Sequence, residues 1–158
     1  MQGDISPSIR AILVTNPSQS VDALKRVQKL LVDSPARFGG SVTPLLGAII
    51  RQTQVVFSHP SNLADPSYFR LAKHLIQTLN NFCDQAGLVR EMGEKDMEDL
   101  LWELTLRLLE TDDATGDAKE LSRFINMIIL RIFNGGKREV VFQSVLSSSL
   151  SLHFLLSL

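Results

Sequence analysis

The sequence carries a single cysteine, Cys83, in 158 residues. No disulfide can form within the chain, which fits a reducing compartment and points to the cytoplasm. It also lacks any excess of basic charge. Sixteen Lys and Arg stand against 17 Asp and Glu, the net charge is −1 and the pI is near 6.3. A surface that neutralises nucleic-acid phosphates ordinarily raises both values, so nucleic-acid binding is not expected. The N-terminal MQGDISPSIR has no apolar run after a basic start and does not read as a secretory signal. No stretch reaches the roughly 18 uninterrupted apolar residues of a membrane helix. Residues 140–158 come nearest, but Gln143, His153 and several serines interrupt them.

Site chemistry is sparse. His59, His74 and His153 are far apart, and none has a second His, Cys or Asp at metal-ligand spacing. No metal and no cofactor is expected. The acidic run Glu110, Asp112, Asp113, Asp117 fails the calcium-loop spacing, because Ala114 and Gly116 stand where oxygen ligands belong. Gly135-Gly136-Lys137 follows no strand and lacks the rest of a phosphate loop. Paired carboxylates, a catalytic triad and a metal cluster are all missing, so the chain does not read as an enzyme. His74 reads as a partly buried structural histidine and Cys83 as a small core residue.

What is present is helical rhythm, with no convincing strand alternation. Ser6-Pro7 starts a short helix over Ile9 to Val14, which Thr15 to Ser18 break. A second helix, 19–33, puts Val21, Leu24, Val27, Leu30 and Leu31 on one face and Asp22, Lys25, Arg26 and Lys29 on the other. A third, 42–58, carries Leu45, Leu46, Ile49, Ile50, Val56 and Phe57, with Pro44 in its first turn. Asp65-Pro66 is a start signal for a fourth helix running to Ala86, which Gly87 stops. Leu88 to Met92 form a further turn. The fifth helix, 95–110, turns Met97, Leu100, Leu101, Leu104, Leu108 and Leu109 inward, with Trp102 opposite.

Residues 117–134 are apolar on nearly every side and read as a buried rod between neighbours. Asp117 to Glu120 has capping-box spacing, with aspartate as cap. Asn126, buried in that rod, would bond across to a partner helix and fix its register. Asn134-Gly135-Gly136 ends the helix. A last helix begins near Lys137 and uses Val140, Val141, Val145 and Leu146, and the Ser/Leu-rich tail 147–158 has no readable structure.

The expected fold is all-α. The helices pair as hairpins, 19–33 with 42–58, 66–86 with 95–110, and 117–134 with 137 onward. The hairpin starts lie roughly 47 and then roughly 51 residues apart, near the roughly 40–47-residue period of HEAT and armadillo units. Residues 1–146 would stack as such an array, with a plain antiparallel bundle as the alternative. Arg131, Lys137 and Arg138 cluster at the last helix corner and are the candidate contact residues for a protein partner.

The stretch from Asp96 to Leu146 resembles the C-terminal helical region of the TOG-family microtubule polymerases, the group of Mini spindles, chTOG and the Dis proteins. The residues that carry this are the leucine-rich Leu100 to Leu109, the acidic linker Glu110 to Gly116, Arg123 with Asn126, Arg131-Ile132-Phe133, and Phe142 to Leu146. Upstream, Ser20 to Leu31 and Ala86 to Arg90 are similar and collinear. The resemblance implies a non-catalytic module acting in microtubule growth and spindle organisation, in the cytoplasm at spindle poles or microtubule-organising centres. The implied partners are a coiled-coil adaptor and the microtubule and tubulin machinery. Family members carry TOG arrays ahead of this region, so a fragment or a shortened product is implied. Trp102 lies within a helix, not in a first-repeat loop, and no tubulin-contact residue carries over. A generic HEAT-type scaffold for another complex is the alternative.

Overall fold

The structure, a computed structural model, describes residues 3–111 and 114–156, with side chains described up to residue 147. Among these residues there are eight α-helices and no strand: α1 Ser6–Arg10, α2 Pro17–Asp33, α3 Val42–Val56, α4 Pro66–Cys83, α5 Ala86–Glu91, α6 Glu94–Thr111, α7 Asp117–Gly135 and α8 Arg138–Leu156. Short 3-10 turns occupy Ala11–Leu13, Pro35–Phe38 and Pro60–Ala64.

Local sequence explains most boundaries. Asn16 caps α2 by accepting from the Ser18 and Gln19 amides, and Pro17 fills the first helical position, where its missing N–H is harmless. The Thr15–Ser18 break is thus also a start signal, and α2 begins two residues earlier than expected. Asp65 caps α4 through the Ser67 amide, as the sequence indicates. Gly87 does not stop α4, which ends at Cys83. Gly87 lies inside the short α5. The capping box at Asp117 does not form either. The cap position is Gly116, at φ +65°, and no side chain caps the helix. Asp117 and Glu120 sit in the first turn, where their charge favours the helix N-terminus.

Close backbone approach links alternate long helices: α2 with α4, α4 with α7, α3 with α6, and α6 with α8. Cross contacts join α3 to α4 and α6 to α7. The expected consecutive pairs α2/α3, α4/α6 and α7/α8 are not among these approaches. The Pro35–Phe38 turn stands between α2 and α3, and α5 stands between α4 and α6. At the last corner, Gly136 brings the backbone against α6. A Cβ added there would lie 2.5 Å from Met97 Cε and 2.7 Å from Val141 Cγ2.

One core runs between the packed helices and includes Leu24, Leu31, Phe38, Leu45, Phe82 and Ile128. The N-terminal segment is fixed to it by Ile5, Ile9 and Ile12 and by a buried polar knot. Gln52 Nε2 reaches Ile12 O at 3.0 Å, Val14 O at 3.1 Å and Ser20 Oγ at 3.0 Å, while Ser20 Oγ donates to Ile12 O at 2.7 Å. Buried polar groups are tolerated when bonded in this way. Between α2 and α4, Gln28 Nε2 reaches His74 O and Thr78 Oγ1 at 3.1 and 3.0 Å.

The largest departure concerns α7. It is not enclosed. Leu121, Ser122, Ile125, Ile128, Ile129 and Ile132 form one buried stripe at helical spacing. Phe124, Met127 and Leu130 are 49%, 40% and 54% exposed. Asn126 is exposed too, so it makes no cross-helix bond of register. The density of apolar residues disguised an ordinary two-faced helix, whose outer face mixes Phe124, Met127 and Leu130 with Arg123 and Asn126. In α6, Leu109 faces solvent while Glu103 and Arg107 are buried. In α8 the inward positions are Val140, Val141 and Ser144, and Val145 and Leu146 are largely exposed.

Candidate interaction surface

An exposed Leu, Met or Phe forgoes the roughly 1.5–3 kcal/mol that full burial of such a side chain contributes. Single cases are ordinary, whereas contiguous apolar patches are the surfaces at which association is first sought. Phe124, Met127 and Leu130 are spaced three apart and make such a strip along α7. Phe124, Met127 and Leu121 of α7 face Lys73, Ile76 and Asn80 of α4 across a groove of about 140 Å³. The end of this groove is clasped. Arg131 donates to Asn80 O at 3.1 Å, to Asn80 Oδ1 at 2.6 Å and to Asp84 Oδ1 at 2.6 Å.

Of the three expected contact residues, Arg131 is therefore committed to α4. Lys137 and Arg138 are exposed at the α7–α8 corner. The apolar strip was missed because the sequence placed these residues inside. The signal that finds it is periodicity: Leu121, Ile125, Ile128, Ile129 and Ile132 already fill one face, which leaves the rest outside.

A second cationic region lies on the outer faces of α2 and α4. Lys25, Arg26, Lys29, Arg70 and Lys73 are exposed. His74 is half-buried among them, its Nδ1 3.3 Å from Gln28 Nε2. Its pKa is held below the ordinary value first by burial and then by the charges of Lys25, Arg70 and Lys73. Lys73 also lies over the Phe69 ring, 5.8 Å from its centroid.

The interior holds an ion pair that the sequence reading did not single out. Arg107 Nε donates to Glu103 Oε1 at 2.6 Å, with side chains only 9% and 4% exposed. Arg107 Nη1 reaches both Glu110 oxygens, its guanidinium lies 5.1 Å from the centre of the Phe57 ring, and Gln54 donates to the second Glu103 oxygen at 3.3 Å. Burial works against the Arg107 charge, but the hydrogen bonds to Glu110 and Glu103 outweigh it and raise its pKa. The spacing of four on α6 was the available signal.

Glu110 is thus tied to Arg107, and Asp117 is exposed. Asp112 and Asp113 of the acidic run lie outside the described residues, as do the side chains of Phe154, Leu155 and Leu156. Among the described residues no group of three His, Cys, Asp or Glu side chains is placed to hold a metal ion, and no helix is long and apolar enough to cross a membrane. The Cys83 thiol packs against the core, and burial pushes its pKa up to about 11. At neutral pH it is protonated and a poor nucleophile. Trp102 is half-buried and faces α3, lining a cleft with Gly47, Ile50 and Arg51. Comparison with family models, curated proteins and solved structures finds no match to the chain.

Proposed function

We propose that the chain is a non-catalytic protein-interaction module, its helices arranged as a HEAT-like array, and that it serves a TOG-type regulator of microtubule growth and spindle organisation. The single observation that carries the interaction reading is the uncovered apolar strip Phe124, Met127 and Leu130 on α7. The two series of alternating helices support the array reading: α2, α4 and α7 form one, and α3, α6 and α8 the other. Such series would present long outer faces to a partner. The microtubule assignment rests on the residue pattern from Asp96 to Leu146. Its partners would be a coiled-coil adaptor and the tubulin machinery at a spindle pole.

Co-sedimentation tests this reading. Purified chain is spun with polymerised microtubules, alone and with the coiled-coil adaptor of the same organism's TOG protein. Pelleting with the adaptor is the expected result. A folded chain that stays in the supernatant under both conditions would contradict the microtubule assignment and leave only a scaffold for another complex.

A further inference from the structure

We propose that the groove between α4 and α7 receives an acidic amphipathic helix of a partner protein. This deepens the interaction-module reading and rests on it.

The size of the groove excludes one class of occupant. About 140 Å³ is small against the roughly 300–1,000 Å³ of sites that enclose a metabolite or cofactor. The space suits single side chains inserted from a continuous partner. It is lined over about two turns of each wall, by Lys73, Ile76, Gln77 and Asn80 of α4 and by Leu121, Phe124 and Met127 of α7. A helix laid in such a groove presents apolar anchors at intervals of three and four residues. Ile76, Leu121, Phe124 and Met127 would meet them. Met127 adds a flexible, polarisable surface that adapts to the anchor.

Charge selects the sign of the partner. Lys73 stands at the groove, and among the described residues no carboxylate lines it. Beyond Lys73 the surface continues into Arg70 and Lys25, which with Lys73 surround His74. The one nearby acidic group at the end of α4, Asp84, is neutralised by Arg131. On α7, Glu120 lies one turn before Phe124 and is the exception, at the opposite end from Arg131. A helix with Asp or Glu on the flank toward α2 and α4 gains these cations, and a lysine-flanked helix is repelled by them.

The probe is a fluorescein-labelled peptide of about 18 residues, five helical turns. It carries Leu at positions three and four apart and Glu on the flanks. A second peptide replaces every Glu by Lys. Anisotropy with the full chain is expected to show the acidic peptide bound, and weakened by added salt. Lys73→Glu and Met127→Asp, both at exposed positions, are each expected to weaken it by about tenfold while circular dichroism is unchanged. Amide shifts in the ¹⁵N spectrum should map to α4 and α7. Equal binding of the lysine peptide, absence of binding, or shifts centred on Phe142 and Leu146 of α8 would overturn the proposal. So would a dimer of the chain that Met127→Asp dissociates, because the groove would then belong to a second copy. The two readings fail separately. Pelleting with microtubules that survives Met127→Asp removes the groove and keeps the module. Loss of pelleting by the wild-type chain removes the microtubule assignment and leaves the peptide result standing.

Discussion

Arg131 of α7 and Asp84, the residue after the last turn of α4, are joined at 2.6 Å, and the same guanidinium takes both oxygens of Asn80. The charge that marks the helix corner in the sequence is therefore a clasp. It ties α7 to the end of α4 beside the groove.

Arg131→Ala breaks this clasp. Both charged side chains are partly solvated, so the ion pair contributes about 1 kcal/mol or less, and the bonds to Asn80 add about 1 kcal/mol. A loss of about 1–2 kcal/mol is expected in urea unfolding. A double-mutant cycle with Asp84→Ala should return a coupling of no more than about 1 kcal/mol.

The pair Glu103 and Arg107 should behave differently, because its side chains are only 4% and 9% exposed. Arg107→Ala strands a buried carboxylate and is expected to cost about 3 kcal/mol or more. The double variant Glu103→Gln with Arg107→Met leaves no buried charge and should recover at least half of that loss. Urea midpoints of the two variants measure the difference.

His74 gives the fold a pH dependence whose sign follows from its surroundings. The folded pKa lies below the ordinary 6.5, so the unfolded chain binds the proton more readily. Stability is then constant above about pH 7 and falls as pH drops through the unfolded value. Thermal melts between pH 7.5 and pH 5.5 should show this decline. His74→Gln should flatten it over the same interval.

Gly136 is required by space and not by its φ of −73°. An alanine Cβ would meet Met97 Cε, Val141 Cγ2 and, at 3.2 Å, the Ile132 carbonyl. Met97 can swing aside, but the backbone oxygen and the branched Val141 cannot. Gly136→Ala is expected to destabilise the chain by about 1–3 kcal/mol, shifting Tm by about 2–4 °C for each kcal/mol. Differential scanning calorimetry checks it.

These relationships also show what the sequence could and could not specify. The helices themselves were legible wherever an apolar period met a start signal, as at Asp65-Pro66, or a glycine stop, as at Gly135-Gly136. Which helix packs against which was not. That depends on connections such as Pro35–Phe38 and α5, and on close contacts like the one at Gly136, which periodicity does not encode. The burial of α7 was misjudged for a related reason. An apolar residue reads as inward until its face is known to be full, and Phe124 and Met127 lie on the face that stayed open. Arg131 was picked out by its charge, but charge alone does not reveal that Asn80 and Asp84, about 50 residues earlier, already hold it.

Hydrogen exchange across the chain, with and without polymerised microtubules and the coiled-coil adaptor, tests the central claim most directly. Binding through the outward face of α7 should slow amide exchange over 117–135 and over the facing part of α4, and leave α2's first turns unchanged. Bound chain whose α7 exchanges as fast as in the free protein would contradict it.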